Sequence, residues 1–349
     1  AVFLIYLQKM FMNGYQKLYQ QLLEPSGDLI ADIKNLKGDI LILGVGGKMG
    51  PALAKLAKQA INRAGINKRV MGVSRFSETG LQDELHQCGI ETYPADLLDD
   101  RQLAGLPEAE NVLYLAGMKF GTTGNESFTW AMNTYLPGRV AERYKHSRIV
   151  AFSTGNVYPL TPVVQGGASE NLLPAPVGEY AQSCLGRERL FQYSSLKYNT
   201  PVLLYRLNYA NDTSYGVLLE IAKLVLANKP IDLRMGTVNV IWQGDANEIA
   251  LRCLHHCETP PKILNVTGPE SLSVRWVAEE FGKIFEQKPN FINQEEPTAF
   301  LGNAAECFRL FGYPKVTVKQ MILLLANWLR HGGKVLNKDT HFQEREGNY

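Results

Sequence analysis

The chain of 349 residues lacks the features of several protein classes. It has no cluster of lysine and arginine, and its formal net charge is only +2, so nothing points to a nucleic-acid partner. Its five cysteines are scattered and odd in number, which favours reduced thiols in a cytoplasmic protein over a disulfide framework. With 45% hydrophobic and 20% charged residues, the composition is that of an ordinary globular protein.

Long apolar runs are also missing. The opening stretch AVFLIYL has seven apolar residues, whereas a transmembrane helix needs about 20. No basic segment precedes it and no small-residue cleavage site clearly follows, so a signal peptide is not indicated. QMILLLANWL, near residue 325, is typical of a core helix. We therefore predict a buried strand or packing arm at the start, no membrane partner and a cytoplasmic location.

From residue 39 onward, short apolar runs alternate with segments of helical periodicity. DILILG, RVMGVSR, IETYPAD, NVLYLAG and RIVAFST are predicted strands, and the segments between them are predicted helices. Strands that alternate with helices indicate right-handed βαβ units. The sequence therefore predicts an α/β fold with a doubly wound parallel sheet, of the Rossmann type, and a smaller C-terminal α/β substrate domain.

The same pattern predicts four parts of the chain. They are an N-terminal helical extension (1–37), a dinucleotide-binding domain (38–205), a substrate-binding domain (206–332) and a polar tail (333–349). The apolar run near 263–267 is expected to return to the main sheet as a strand. The tail is polar throughout, so we expect it to be loose.

A glycine-rich turn follows the first predicted strand, in LILGVGGKMGPALA. Such a turn between a strand and a helix lets backbone amides approach a pyrophosphate, with the positive end of the helix dipole behind them. Pro51 suits the first helical turn, where no intrahelical N–H is needed. The predicted cofactor contacts of this loop are Gly44, Gly46, Gly47, Lys48, Met49 and Gly50.

The end of the second strand indicates which dinucleotide is bound. An acidic residue there would hold the ribose hydroxyls of NAD. This sequence has Ser74 and Arg75 instead, a hydroxyl and a guanidinium suited to a 2′-phosphate. We expect NADP to be preferred, with NAD as the alternative.

Further motifs follow in register. ADLL comes after the third strand, YLAGMKFGTTGNES after the fourth, WAMNTY in the next helix, FSTGNVYP after the fifth strand, and SENLLPAPVGEYAQS before a helix. Together with QGDANEIALRCL and ILNVTGPESLSVRWVAEEFG, these segments resemble the extended short-chain dehydrogenase/reductases, the NAD-dependent epimerase/dehydratase family typified by UDP-galactose 4-epimerase. The resemblance covers about 38 to 330.

The resemblance implies roles for individual residues. Further cofactor contacts would be Asp96, Leu97, Ala116, Gly117, Lys119, Asn133 and Tyr180. The catalytic tyrosine would be Tyr180, and the catalytic hydroxyl would be Thr154, with Ser153 beside it. The implied reaction is hydride exchange between nicotinamide and a substrate carbon, with a proton moved by the tyrosine. The family also implies a homodimer formed through the helices that bear Asn133 and Tyr180.

One family residue is absent. The lysine expected one turn after Tyr180 is Cys184, which cannot supply the charge that lowers the tyrosine pKa from about 10. Another cation could compensate, namely Arg187 or Lys119. Alternatively, the reaction needs Tyr180 only as a proton donor, or the substrate supplies the charge. In the third interpretation, the protein is a catalytically silent nucleotide-binding sensor or scaffold.

The substrate half departs from the nucleotide-sugar pattern. Arg206 fits that pattern, but Tyr209 stands where the family has an asparagine, with Asn208 next to it. The arginine expected before the segment of Asp245 is missing, since the nearest one is Arg234. The predicted substrate contacts are Lys119, Thr154, Asn208 and Tyr209. A small-molecule sugar or sugar derivative is expected. CLHHC is predicted to be helix packing, because four ligands cannot converge from one such turn, and we expect no metal.

Overall fold

The computed structural model describes residues 19, 21–119, 121–336 and 338–348. The predicted N-terminal strand or packing arm lies outside these residues. Within the described residues there are 15 strands: β1 Ile40–Leu43, β2 Val70–Ser74, β3 Glu91–Pro94, β4 Asn111–Tyr114, β5 Arg148–Thr154, β6 Thr161–Pro162, β7 Val202–Leu207, β8 Ala210–Asn211, β9 Pro230–Asp232, β10 Thr237–Val238, β11 Ile241–Trp242, β12 Lys262–Val266, β13 Leu272–Ser273, β14 Asn290–Ile292 and β15 Thr298–Ala299.

The α-helices of the described residues are α1 Gly27–Asn35, α2 Gly50–Ala64, α3 Leu81–Gln87, α4 Asp100–Ala104, α5 Glu126–Trp130, α6 Leu136–Arg143, α7 Gly178–Tyr198, α8 Val217–Leu226, α9 Gln243–Arg252, α10 Val274–Phe285, α11 Ala305–Phe311 and α12 Val318–Arg330. A π-helical turn, Ala131–Tyr135, joins α5 to α6. None of these helices is long and apolar enough to cross a membrane.

The main sheet has seven strands in the order β12-β7-β5-β4-β1-β2-β3, and every neighbouring pair is parallel. All four residues of β1 are buried, as expected for a central strand covered on both faces by helices. The predicted doubly wound sheet is confirmed. Because parallel strands end at one edge, the loops after β1, β2, β3, β4 and β5 meet there.

The second half of the chain forms its own apolar cluster, in which α8, α10 and α12 pack together around Phe281 and Leu325. Helix α12 begins with a capping box, in which Thr317 and Gln320 satisfy each other's backbone amides. Strand β12 leaves this half and pairs with β7 at the edge of the main sheet. The two halves therefore share the sheet.

The C-terminal tail is packed rather than loose. Phe342 has no solvent exposure and belongs to the apolar cluster of the second half. The amide and hydroxyl of Thr340 donate to Glu220 Oε2, at 2.7 and 2.5 Å. Arg345 Nη2 donates to Thr298 Oγ1 at 2.7 Å. The expectation of a loose tail was wrong because it rested on average polarity, and one aromatic side chain with a few polar contacts holds the segment in place.

Candidate active site

A cleft with a volume of about 600 Å³ lies at the edge where the strands end. One wall is the glycine-rich loop after β1, and the opposite wall comes from the second half of the chain. Eleven of the predicted cofactor, catalytic and substrate residues line this cleft: Gly46, Gly47, Lys48, Met49, Gly117, Lys119, Ser153, Thr154, Tyr180, Asn208 and Tyr209. The fold therefore brings the predicted cofactor loop and the predicted catalytic hydroxyls into one space.

The glycine-rich loop turns tightly between β1 and α2. Gly44 has a φ of 90°, and a Cβ there would lie 2.7 Å from the backbone nitrogen of Ala116, so only glycine fits. The amide of Gly47 donates to the Gly44 carbonyl at 3.0 Å. Pro51 lies in the first turn of α2, as predicted. Gly46 and Gly47 are exposed to the cleft, so the loop offers the cradle that a dinucleotide pyrophosphate needs.

The residues expected near the adenosine lie along the same edge, outside the lining of the cleft. Ser74 Oγ accepts a hydrogen bond from the amide of Phe76 at 2.9 Å, and Arg75 is exposed. Asp96 accepts from the amide of Leu98 at 3.0 Å, and Leu97 is buried. The loops after β2 and β3 are thus ordered by their own side chains.

Thr154, the last residue of β5, lies in the cleft beside Ser153. The Thr154 hydroxyl donates to Asn156 Oδ1 at 2.9 Å and accepts from the Asn156 amide at 3.2 Å. Its oxygen can therefore accept one more hydrogen bond. The Ser153 hydroxyl instead donates to Glu188 Oε1 at 2.6 Å. The structure thus ties Ser153 to a buried carboxylate and leaves Thr154 acceptor capacity towards the cleft.

Tyr180 stands in the first turn of α7 and is 9% exposed. Cys184 follows one helical turn later, is 1% exposed and shares a side-chain hydrogen bond with Tyr180. Burial raises the pKa of the Cys184 thiol, although Arg187 and the contact with Tyr180 oppose this. At neutral pH the residue behind Tyr180 is therefore an uncharged thiol.

Arg187 brings a buried cation to the same region. Its Nη1 donates to the Phe152 carbonyl and its Nη2 to Asn133 Oδ1, both at 2.8 Å. Burial disfavours its charge, but Cys184, Tyr114, Tyr180 and Glu188 raise its pKa above the ordinary value, so it stays charged. The guanidinium lies against Gly117, where any Cβ would collide with it.

Asn133, in the π-helical turn, holds the segment after β4. Its Oδ1 accepts from the amide of Met118 at 2.8 Å, and its Nδ2 donates to the Met118 carbonyl at 2.7 Å and to Ser183 Oγ at 3.0 Å. This amide therefore joins α7 to the segment that carries Lys119. The buried Ala116 begins that segment.

Two lysine side chains point into the cleft. Lys119 Nζ lies 5.9 Å from the centre of the Tyr180 ring and 3.4 Å from the carbonyl oxygen of Thr340 in the tail. Burial lowers the pKa of Lys119 to about 8, against the opposing effects of Cys184 and Glu220. Lys48 Nζ donates to the Ala210 carbonyl at 3.0 Å and lies 3.8 Å from the centre of the Tyr215 ring.

The two arginines considered for the substrate do not reach the cleft. Arg206 is 2% exposed, and its guanidinium donates to Glu188 Oε2 at 2.6 Å and to the Tyr158 hydroxyl at 2.6 Å. Arg234 is solvent-exposed and pairs with Asp232 at 2.7 Å. Asn208, which does line the cleft, donates to Asn239 Oδ1 at 2.8 Å.

Sequence reasoning missed several residues of the cleft: Glu78, Asn156, Ser214, Tyr215, Leu336, Lys338 and Thr340. Asn156 lies within the motif FSTGNVYP, two residues after Thr154. This short spacing was the signal that could have indicated its hydrogen bonds to the Thr154 hydroxyl. The three tail residues carry no such signal, because only the packing of the tail brings them to the cleft.

The family model of the NAD-dependent epimerase/dehydratases matches residues 40–213. This range runs from β1 through the glycine-rich loop, Thr154 and Tyr180 to the segment after β8. No curated protein sequence matches the chain.

Solved structures share the fold at low sequence identity. A UDP-glucuronic acid 4-epimerase from Bacillus cereus, solved with UDP-glucuronic acid and NAD, has a TM-score of 0.67 and 18% identity, over 84% of this chain and 99% of that chain. A UDP-glucose 4-epimerase from Thermus thermophilus, solved with NAD, gives the same four values. An epimerase from Methanothermobacter thermautotrophicus has a TM-score of 0.68 and 16% identity, over 88% of this chain and 96% of that chain.

Proposed function

We propose a reaction for this chain, which belongs to the NAD-dependent epimerase/dehydratase family. It transfers a hydride between a nicotinamide dinucleotide and an alcohol or carbonyl carbon of a sugar or sugar derivative. The observation that carries the proposal is the shared cleft, in which the glycine-rich loop faces Thr154 and Tyr180. The exposed residues Gly46 and Gly47 leave room for the cofactor's pyrophosphate to approach the backbone of the loop. The bound nicotinamide would supply or accept the hydride.

The chain's own residues would handle the proton. In carbonyl reduction, the Tyr180 hydroxyl donates its proton to the substrate oxygen as the carbon becomes an alcohol. Thr154 orients the alcohol form, because its oxygen can accept a hydrogen bond from the new hydroxyl while its own O–H continues to donate to Asn156 Oδ1. Asn133 fixes the segment of Lys119 against α7, which keeps both walls of this end of the cleft in place.

The missing lysine would be replaced by two other cations. Arg187 interacts electrostatically with Tyr180 from within the protein, and Lys119 lies 5.9 Å from the Tyr180 ring on the cleft side. A positive charge near a phenol favours the phenolate. These contacts support the interpretation in which other cations compensate for Cys184. They favour an active enzyme over a silent nucleotide-binding sensor or scaffold, which nothing in the geometry specifically favours.

We further propose that the cofactor is NADP in preference to NAD. Arg75 is exposed at the end of β2, where the 2′-position of the adenosine ribose would lie, and no carboxylate occupies the position of Ser74. Glu78, three residues after Arg75, lines the cleft, and its negative charge would weaken the preference. The family as a whole uses nicotinamide dinucleotides.

A homodimer is also proposed. The surface of α5, the π-helical turn and α7 exposes five large apolar side chains: Phe128, Trp130, Tyr135, Tyr193 and Leu196. Apolar side chains concentrated on one helical face are typical of a protein interface. Sedimentation equilibrium of the wild type and of Leu196→Glu tests this: we expect a dimer that the variant dissociates.

Tyr180→Phe tests the proposed reaction. Hydride transfer is followed by NADPH absorbance with a panel of sugars, sugar acids and nucleotide sugars, and dinucleotide binding is followed by fluorescence. We expect the variant to lose about 100-fold or more in kcat, as for removal of a general acid, while it binds NADPH like the wild type. Tyr313→Phe, at a position that is 72% exposed and outside both the cleft and the proposed dimer surface, is the control.

Two results would contradict the proposal. If Tyr180→Phe keeps full activity, the assigned proton donor is wrong. If the wild type binds a dinucleotide but transfers no hydride to any compound, the sensor or scaffold interpretation takes its place.

A further inference from the structure

Two ammonium groups face the cleft from different segments of the chain. Lys48 comes from the glycine-rich loop and Lys119 from the segment after β4. Their contacts described above are the Ala210 carbonyl and the Tyr215 ring for Lys48, and the Thr340 carbonyl for Lys119. A carbonyl that accepts a hydrogen bond from an ammonium group, or an aromatic ring beneath it, orients that group. These contacts direct the ammonium groups of both lysines towards the cleft.

The two charges repel each other. The walls of the cleft disfavour the charged form of Lys48, and Lys119 lowers its pKa further, against the attraction of Asp212. Like charges in one cavity are unfavourable unless an anion lies between them. An anionic ligand would relieve this repulsion and gain a charge-assisted hydrogen bond from each lysine.

We propose that Lys48 and Lys119 bind an anionic group of the substrate, a carboxylate or a phosphate, beside Tyr180. This inference rests on the proposed function, because it assumes that the cleft binds a sugar derivative as substrate. It adds the chemical class of that substrate, namely an acidic sugar derivative. The two lysines would bind the anionic group in place of Arg206 and Arg234, which form ion pairs with Glu188 and Asp232 and do not reach the cleft.

The contacts favour the substrate over the cofactor as the source of the anion. Lys48 Nζ touches Ala210 and Tyr215, and Lys119 Nζ touches Thr340, all of which belong to the second half or the tail. Lys119 is also the cation that approaches Tyr180, where the reacting carbon must lie. The cofactor's phosphates would instead lie on the amides of the glycine-rich loop.

The tail closes this part of the cleft. Thr340 is held by Glu220, and Lys338 also lines the cavity. A third lysine at the rim raises the local positive potential and attracts an acidic ligand.

Calorimetric titration of the protein saturated with NADP tests the site. The probes are D-glucuronate, D-glucose as its uncharged counterpart, and UDP-glucose as a phosphate-bearing neutral sugar. We expect an anionic probe to bind at least about tenfold more tightly than D-glucose, and Lys48→Met and Lys119→Met each to weaken it about tenfold or more, the worth of one charge-assisted hydrogen bond. Lys283→Met, at an exposed ion pair on α10, is the control.

The probes identify the source of the anion. Lysine-dependent binding of D-glucuronate supports a carboxylate, and lysine-dependent binding of UDP-glucose alone supports a phosphate. The proposal is overturned if no probe binds the wild type, if the methionine variants weaken D-glucose as much as the acid, or if they weaken only NADPH. Lys48→Arg and Lys119→Arg keep the charge and should restore part of the affinity, which a purely structural role would not require.

The failure of this inference differs from that of the proposed function. If hydride transfer is observed with uncharged sugars but the binding of acids does not depend on the lysines, only the proposed anion site is wrong. If the binding of an acid depends on the lysines but no hydride transfer is observed, only the proposed reaction is wrong.

Discussion

Cys184 lies one helical turn after Tyr180 on α7, and the two side chains share a hydrogen bond. The neighbour that should carry a positive charge is therefore a neutral thiol in direct contact with the phenol. The nearby charges come from outside this turn: Arg187 lies within the protein and Lys119 in the cleft. These two cations supply the positive charge near the phenol that the Cys184 thiol cannot supply.

Cys184→Lys should make Tyr180 a better base. An ammonium group about 4 Å from the phenol is worth roughly 4 kcal/mol at an effective dielectric of 20, or about three pKa units at most. We expect the pH at which alcohol oxidation reaches half its maximum to fall by about one to three units. Cys184→Met, which is similar in length and uncharged, is the control; identical pH profiles of the two variants would refute the electrostatic explanation.

Arg75→Ala should change which dinucleotide is bound. Removal of a charged hydrogen bond to a 2′-phosphate costs about 1.5–3 kcal/mol, so we expect NADPH affinity to fall about 10- to 100-fold while NADH affinity is unchanged. Arg69→Ala is a matched control, because Arg69 precedes the same strand at its opposite end and pairs with Asp39. Fluorescence titration decides, and an equal loss for both dinucleotides would argue against a phosphate contact.

Binding of the acidic substrate should weaken at alkaline pH. Lys119 has a pKa of about 8, so its charge is present below that pH and is lost as the pH rises through it. The groups that face it are Cys184, Tyr180 and Glu220, and Lys48 is faced by Asp212 and Tyr215. We expect the dissociation constant of the acidic probe to rise about tenfold or more between pH 6.5 and 9.5. Lys48, whose pKa burial lowers to about 7, also loses its charge as the pH rises through this range. In Lys119→Met the part of the rise that belongs to Lys119 should vanish while the part that belongs to Lys48 remains, and an unchanged slope would contradict the assignment.

Phe342→Ala should release the tail. Truncation of a fully buried phenylalanine costs about 3–5 kcal/mol of stability. This loss exceeds the stabilisation that the remaining polar contacts of the tail provide. We expect amide exchange in 338–348, including the Thr340 amide now bonded to Glu220, to accelerate about 100-fold or more, with weaker substrate binding. Leu323→Ala, at an exposed position of α12, should change neither; protection of the tail in Phe342→Ala would show that its polar contacts suffice.

The sequence by itself determined the features that depend on short-range order. The run of apolar residues in β1, the glycines of the following turn and Pro51 in the first turn of α2 encode a strand, a loop and a helix start within about 12 residues. Thr154 and Tyr180 were singled out differently, through the resemblance of their motifs to those of the family, and their catalytic roles stay predictions. The parallel sheet followed from the alternation of such units.

Only the tertiary structure decided which charges serve the cleft. Arg206 and Lys48 are both cationic residues, and the sequence does not distinguish their roles. In the fold, Arg206 forms a buried ion pair with Glu188, whereas Lys48 reaches across the cleft to the carbonyl of Ala210. The tail looked unstructured because Phe342, an aromatic residue that the fold buries, has no periodic partners nearby in sequence. Contacts between residues a hundred or more positions apart, such as Lys119 with Thr340, leave no local pattern, since they depend on how separately folded elements pack.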